Sequence, residues 1–307
     1  INMGSRHFLT LKDLSRKELK KILLRAAQLK EEHKKGVIYQ PFIGKVMAMI
    51  FEKSSTRTRV SFETGMAQLG GSALFLSPND TQLGRGECTE DSARVISSMV
   101  DIIMMRTFSQ RYIENFALHS SVPVINALTD DHHPCQLLAD MQAFIELRGD
   151  IEGKKVTWIG DGNNMCQTYM HAAGMLDFQL KIGCPRGFEP QETISDELKE
   201  NVTLVHDPVE AVAGADLVIT DTWTSMGQES EKILRKKSFK DFQVNESLME
   251  KSNERSLFMH CLPAYRGEEI NDTIMDSGYS AVWLAAENRL HSQKALIEFL
   301  LSEKKLK

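Results

Sequence analysis

Five consecutive residues, Ser55-Thr56-Arg57-Thr58-Arg59, place two guanidinium groups and three hydroxyls side by side. An apolar run of strand length, Val46–Phe51, precedes them. Val60, Phe62, Met66 and Leu69 follow at roughly helical spacing until Gly70-Gly71 ends the pattern. The five residues therefore open a helix, whose unpaired N–H groups and positive dipole end attract anions. Arginine forks add bidentate, charge-assisted bonds suited to phosphate. One Ser and one Arg would be an ordinary cap with a solvated side chain. Five such residues after a buried strand indicate an oxyanion site.

Other residues that could do chemistry stand at the ends of apolar runs. Arg106 closes Ile102-Ile103-Met104-Met105, where a core position would want an apolar side chain. In Asp131-His132-His133-Pro134-Cys135-Gln136, Pro134 suits the first turn of a helix, which sets His133 and Gln136 near its N-terminus as donors. The adjacent histidines lack a carboxylate or cysteine pair at ligand spacing, so no metal is expected. Gly160-Asp161-Gly162-Asn163-Asn164 invites a dinucleotide reading, but Met165 takes the place of the third glycine and no ribose-binding acid follows about 20 residues on. Two asparagines at a strand end can instead hold a polar substrate. Asp221 ends another buried run, and Thr222-Trp223-Thr224-Ser225-Met226-Gly227 follows. Its carboxylate suits either a helix cap or an amine-bearing substrate. His260-Cys261-Leu262-Pro263 ends a strand, where a buried cysteine is ordinarily a small hydrophobe.

These residues need a framework. The 307-residue chain suits two domains of roughly 150 residues. Strands are expected at 45–51, 73–76, 101–106, 122–126, 155–159, 181–183, 203–206, 217–220 and 256–260. Helices are expected at 7–35, 57–69, 90–100, 134–147, 164–176 and 287–301, with Arg289 in the first turn of the last. Such alternation implies parallel sheets with right-handed crossovers, and ligands then bind beyond the strands' carboxyl ends. The charged, glycine-containing stretch 148–153 marks the boundary. A net charge of -5 argues against nucleic-acid binding. The apolar runs are too short for a membrane span, and no signal peptide opens the chain. Five scattered cysteines without a C-x-x-C pair suit a reducing compartment, the cytoplasm, rather than a disulfide framework.

In order, Ser-Thr-Arg-Thr-Arg at 55–59, Met-Arg-Thr at 105–107, His-Pro-Cys-Gln at 133–136, Asp-Gly-Asn-Asn at 161–164, Asp-Thr-Trp-Thr-Ser-Met-Gly at 221–227 and His-Cys-Leu-Pro at 260–263 resemble the aspartate/ornithine carbamoyltransferase family. The last two motifs point to ornithine over aspartate. The resemblance implies two doubly wound α/β domains with helices on both faces: 1–148 for carbamoyl phosphate and 149–286 for ornithine. Residues 287–307 would form a C-terminal helix packing back on the first domain. It implies a carbamoyl phosphate site of Ser55, Thr56, Arg57, Thr58, Arg106, His133, Pro134, Cys135 and Gln136, with Cys261, Leu262 and Arg289 from the second domain. Gln82 would reach a neighbouring subunit's site in a homotrimer or a multiple of trimers. Asn164, Asp221, Ser225 and Met226 would hold ornithine. Thr58, Arg106 and His133 would serve the carbonyl, Asp221 and Cys261 would orient the amine, and no cofactor is implied. Tyr265 departs from the histidine that many relatives carry after Leu-Pro-Ala.

Three rivals remain on sequence alone. They are a carbamoyltransferase for another amine such as putrescine, an NAD-dependent dehydrogenase, and an anion-binding protein without turnover.

Overall fold

A computed structural model of the chain describes residues 5–77 and 86–302. Its residues fall into two compact units. One is Ile1–Gln142 with Glu287–Lys307, the other Ala143–Ala286.

The first unit carries α1 (Arg16–Lys34), β1 (Val46–Phe51), α2 (Thr56–Gln68), β2 (Ser72–Leu76), α3 (Thr89–Met99), β3 (Ile102–Arg106), α4 (Gln110–His119) and β4 (Val124–Leu128), and then enters α5 (Pro134–Arg148). Its four parallel strands run β2-β1-β3-β4. The run Met47–Phe51 is buried on both faces, as a central parallel strand requires. Ser55 caps α2, which buries Phe62 and Met66 and stops before Gly70 at φ +87°. Each such burial stabilises by about 1.5–3 kcal/mol. Because β2 lies on one side of β1 and β3 on the other, the chain reverses direction between β1 and β3. The crevice beyond their carboxyl ends is the ligand position of a doubly wound sheet.

The second unit holds β5 (Lys155–Ile159), α6 (Asn164–Leu176), β6 (Gln179–Gly183), β7 (Val202–Val205), α7 (Pro208–Val212), β8 (Leu217–Thr220), α8 (Lys232–Phe239), α9 (Glu246–Met249), β9 (Leu257–His260) and α10 (Asp272–Met275). The five strands are parallel in the order β7-β6-β5-β8-β9. Here the reversal falls between β5 and β8. Trp223, Phe239, Phe242 and Phe258 fill one side of this sheet's core.

Nine strands among the described residues match the nine expected. Helix positions differ more. The expected helix 7–35 begins at Arg16, because Ser15 caps it through Glu18 in a capping box. β4 starts at Val124 rather than 122, since Pro123 donates no N–H to the ladder. The last helix, α11, spans Val282–Ser302, so Arg289 stands in its second turn rather than its first. Among the described residues no helix is long and apolar enough to cross a membrane.

Candidate active site

In the first unit the reversal point collects the expected anion-binding residues. Ser55 caps α2, its hydroxyl accepting from the Thr58 N–H at 3.3 Å and donating to Thr58 Oγ1 at 3.0 Å. Thr56 is exposed and Arg57 half-buried at the same helix start, while Thr58 is buried. Phe51 and Arg106 are register partners on β1 and β3, which puts Arg106 beside the loop leading to Ser55. The Glu52 N–H donates to the Arg106 carbonyl at 2.8 Å, and Thr107 donates to the Glu52 carboxylate.

Arg289 belongs to this unit, not to the second domain. It is 4% exposed. Its Nη1 donates to Gln136 Oε1 at 2.8 Å, and Nη2 reaches Thr58 Oγ1 at 3.4 Å. Residues 58, 136 and 289 are thereby gathered from three helices. His133, directly before α5, is buried, and burial together with the charges of Arg289 and Arg106 holds its pKa well below the ordinary imidazole value. The ring is neutral, so one nitrogen can donate to a developing oxyanion without carrying charge. Pro134 is the first residue of α5. The Cys135 thiol is packed against β4, donating to the Asn126 carbonyl at 3.4 Å, and burial pushes it up to about 12. It is inert, and only its backbone can serve a ligand. Gln82 lies outside the described residues.

The second unit's reversal point collects the other set. Asn163 caps α6, accepting from the Met165 and Cys166 N–H groups, and its amide donates to Asp221 Oδ2 at 2.7 Å. Asp221 also accepts from the Thr222 N–H at 2.7 Å. Asn164 opens the helix beside it. Ile159 and Thr220 pair across β5 and β8, which brings the two loops together. Ser225 is held by Gln228, which accepts from its N–H at 3.0 Å, while Met226 stands 56% exposed before Gly227 at φ +94°.

One strand further, His260 pairs with Thr220, so Cys261 follows next to Asp221. Ligating atoms of Asp221, His260 and Cys261 lie within 4.8 Å of one another. A metal would find few of them available. His260 Nδ1 accepts from the Leu262 N–H at 2.9 Å and Nε2 contacts Glu269 at 2.9 Å, so both ring nitrogens are committed within the protein. Leu262 adopts a left-handed backbone at φ +61°, an uncommon conformation for a branched residue and one that concentrates at functional sites.

Several residues of this architecture were not singled out by the sequence. Arg235 on α8 bonds Asp161 at 3.0 Å and the Trp223 carbonyl at 3.0 Å, joining the loops after β5 and β8. Burial raises the Asp161 carboxyl to about 6 against the pull of Arg235. Glu269 and Gln293 are also buried and polar. A charged residue within a helical pattern, such as Arg235, carries no mark of burial in the sequence. The dinucleotide reading fails on geometry as well. A Cβ on Gly162 would lie 2.2 Å from the Pro190 backbone nitrogen, so the glycine admits a neighbouring turn of chain, not a pyrophosphate.

Residues 6–146 match the carbamoyl-phosphate-binding domain of the aspartate/ornithine carbamoyltransferases, and residues 152–300 match the family's Asp/Orn-binding domain. The chain belongs to the aspartate/ornithine carbamoyltransferase family. It is 62% identical over 301 residues to an ornithine carbamoyltransferase of Acinetobacter baumannii, covering 98% of both chains. Among solved structures, it resembles the ornithine carbamoyltransferase of Burkholderia thailandensis, with 51% identity and a TM-score of 0.90 over 96% of this chain and 98% of that one. The Pyrococcus furiosus enzyme of the same name is 46% identical, with a TM-score of 0.92 over 97% of each chain.

Proposed function

We propose that this protein transfers the carbamoyl group of carbamoyl phosphate to the δ-amine of L-ornithine, giving L-citrulline and phosphate, a step of arginine metabolism. The observation that carries the reading is the convergence of Thr58, Gln136 and Arg289 beside a neutral His133, at the reversal point of a parallel sheet. The identity to ornithine carbamoyltransferases over nearly the whole chain supports the choice of substrates.

In the first unit, Ser55, Thr56 and Arg57 hold the phosphate at the α2 N-terminus. Thr58, Arg106 and His133 donate to the carbonyl oxygen, with Gln136 and Arg289 completing the site. In the second unit, Asn164, Asp221, Ser225 and Met226 hold ornithine. Cys261 and Leu262 serve carbamoyl phosphate, and Cys261 with Asp221 orients the amine. The δ-amine, having lost its proton, attacks the carbonyl carbon. The tetrahedral intermediate collapses by breaking the C–O bond to phosphate, which leaves with the nitrogen's surplus proton.

The exposed Val60, Leu74 and Phe75, with β2 at the sheet edge, support a homotrimer whose partner chains cover that face. We place the protein in the cytoplasm on its cysteine usage.

The test is ornithine-dependent phosphate release from carbamoyl phosphate, run beside putrescine and aspartate as acceptors. Citrulline formation from ornithine alone is the expected result. An Arg57→Ala variant with unchanged turnover and carbamoyl phosphate affinity would overturn the phosphate assignment.

A further inference from the structure

Arg289 is a planar cation with its N–H groups in a fixed fork, so its usefulness to a substrate depends on the plane it is held in. Two buried amides set that plane. Gln136 Oε1 accepts from Nη1 at 2.8 Å, and Gln293 Oε1 accepts from Nε at 2.9 Å. Each amide is locked by a second partner. Gln136 Nε2 donates to Asp140 at 2.9 Å, and Gln293 Nε2 donates to Ser61 Oγ at 2.7 Å.

Ser61 closes the circuit. Its hydroxyl donates to the Thr58 carbonyl at 3.2 Å, which leaves its oxygen to accept from Gln293. With Ser61 so engaged, Gln293 can present only its carbonyl to Arg289, since a flipped amide would set two donors against each other. The helical spacings permit this: residues 289 and 293 share one face of α11, and residues 58 and 61 share one face of α2. Gln293 is fully buried and Ser61 nearly so.

We propose that Gln293, steadied by Ser61, is a positioning residue that fixes the Arg289 guanidinium for carbamoyl phosphate. This rests on the reading of Arg289 as part of that substrate's site. Neither residue touches the substrate in this proposal. Their action passes through the cation.

The test compares Gln293→Leu, Gln293→Glu, Ser61→Ala and Arg289→Leu in the full-length protein, by the KM for each substrate, kcat and Tm. Gln293→Leu should raise the carbamoyl phosphate KM about ten-fold, the value of one hydrogen bond to a charged group, while the ornithine KM stays within about two-fold. Gln293→Glu keeps an oxygen facing Nε and should return that KM to within about three-fold of wild type. Ser61→Ala should raise it by a smaller factor, and carries the test should Gln293→Leu fail to fold. A fall in Tm without a rise in carbamoyl phosphate KM in either variant would make Gln293 a packing residue only and overturn the proposal. Should Arg289→Leu also leave that KM unchanged, the carbamoyl phosphate reading itself is at fault.

Discussion

His260 Nε2 and Glu269 Oε1 lie 2.9 Å apart with both side chains fully buried. Since Nδ1 accepts from the Leu262 N–H, the ring proton sits on Nε2 and donates to the carboxylate. The same carboxylate oxygen accepts from the Tyr265 N–H at 2.7 Å. Glu269 therefore pins both sides of the turn that presents Cys261 and Leu262. Truncating it to Ala strands the buried His260 Nε2–H and the half-buried Tyr265 N–H, and should cost about 2–4 kcal/mol of stability, whereas Gln, which keeps an acceptor oxygen, should cost about 1 kcal/mol. Urea unfolding of both variants measures this, and equal losses would show that the carboxylate is not the anchor.

His133 is held neutral by burial and by Arg289 and Arg106. Its depressed pKa means that acidification from pH 8 to pH 6 should leave its ring uncharged. Nitrogen NMR of labelled histidine should show a single neutral tautomer across that range, and a titration near 6.5 would refute the assignment. Loss of its donor in His133→Phe should lower kcat by about 10²–10³ with the substrate KM values little changed.

Asn163 steadies Asp221 by a bond of 2.7 Å while also capping α6. Serine there keeps the cap and loses the reach to Asp221. Asn163→Ser should raise the ornithine KM about ten-fold and leave that for carbamoyl phosphate alone. Steady-state kinetics with each substrate varied in turn decides it. A parallel rise in both constants would point to general loosening.

The chain's legibility had clear bounds. Strands announced themselves because parallel strands buried on both faces read as continuous apolar runs, as in Val46–Phe51. The loops beyond them stood out as candidate sites because polar residues at buried strand ends are conspicuous, Arg106 above all. Helix α4 was missed: it buries only Ile113, Phe116 and Ala117 on a polar helix, although Ser109 supplies a cap. Gln293 and Ser61 were invisible for another reason. A buried amide is recognised by its partners, and these lie 232 positions apart in the chain.

His291 is buried in the first unit near Lys294, Lys30, His33 and Lys34, and burial with those charges lowers its pKa to about 3. The folded pKa lies below the unfolded value of about 6.5, so between those limits the unfolded chain binds more protons. Stability from this group is complete above pH 6.5 and falls with acidification, at most about 1.4 kcal/mol per pH unit. Glu287 faces the ring at 3.9 Å and softens the slope. Urea midpoints from pH 7 to pH 5 should therefore decline less steeply in His291→Gln than in wild type. Identical slopes would show that the ring does not titrate on unfolding in this range.

Gly162 carries an implication for redesign. The space that a dinucleotide's phosphates would need against it is filled by the main chain at 189–190, and the Gly162 N–H already donates to the Phe188 carbonyl at 2.9 Å. Restoring a glycine at Met165 would complete a motif on paper and open no room. Turning this sheet into a nucleotide platform would require deleting a turn, a change in chain length rather than in side chains.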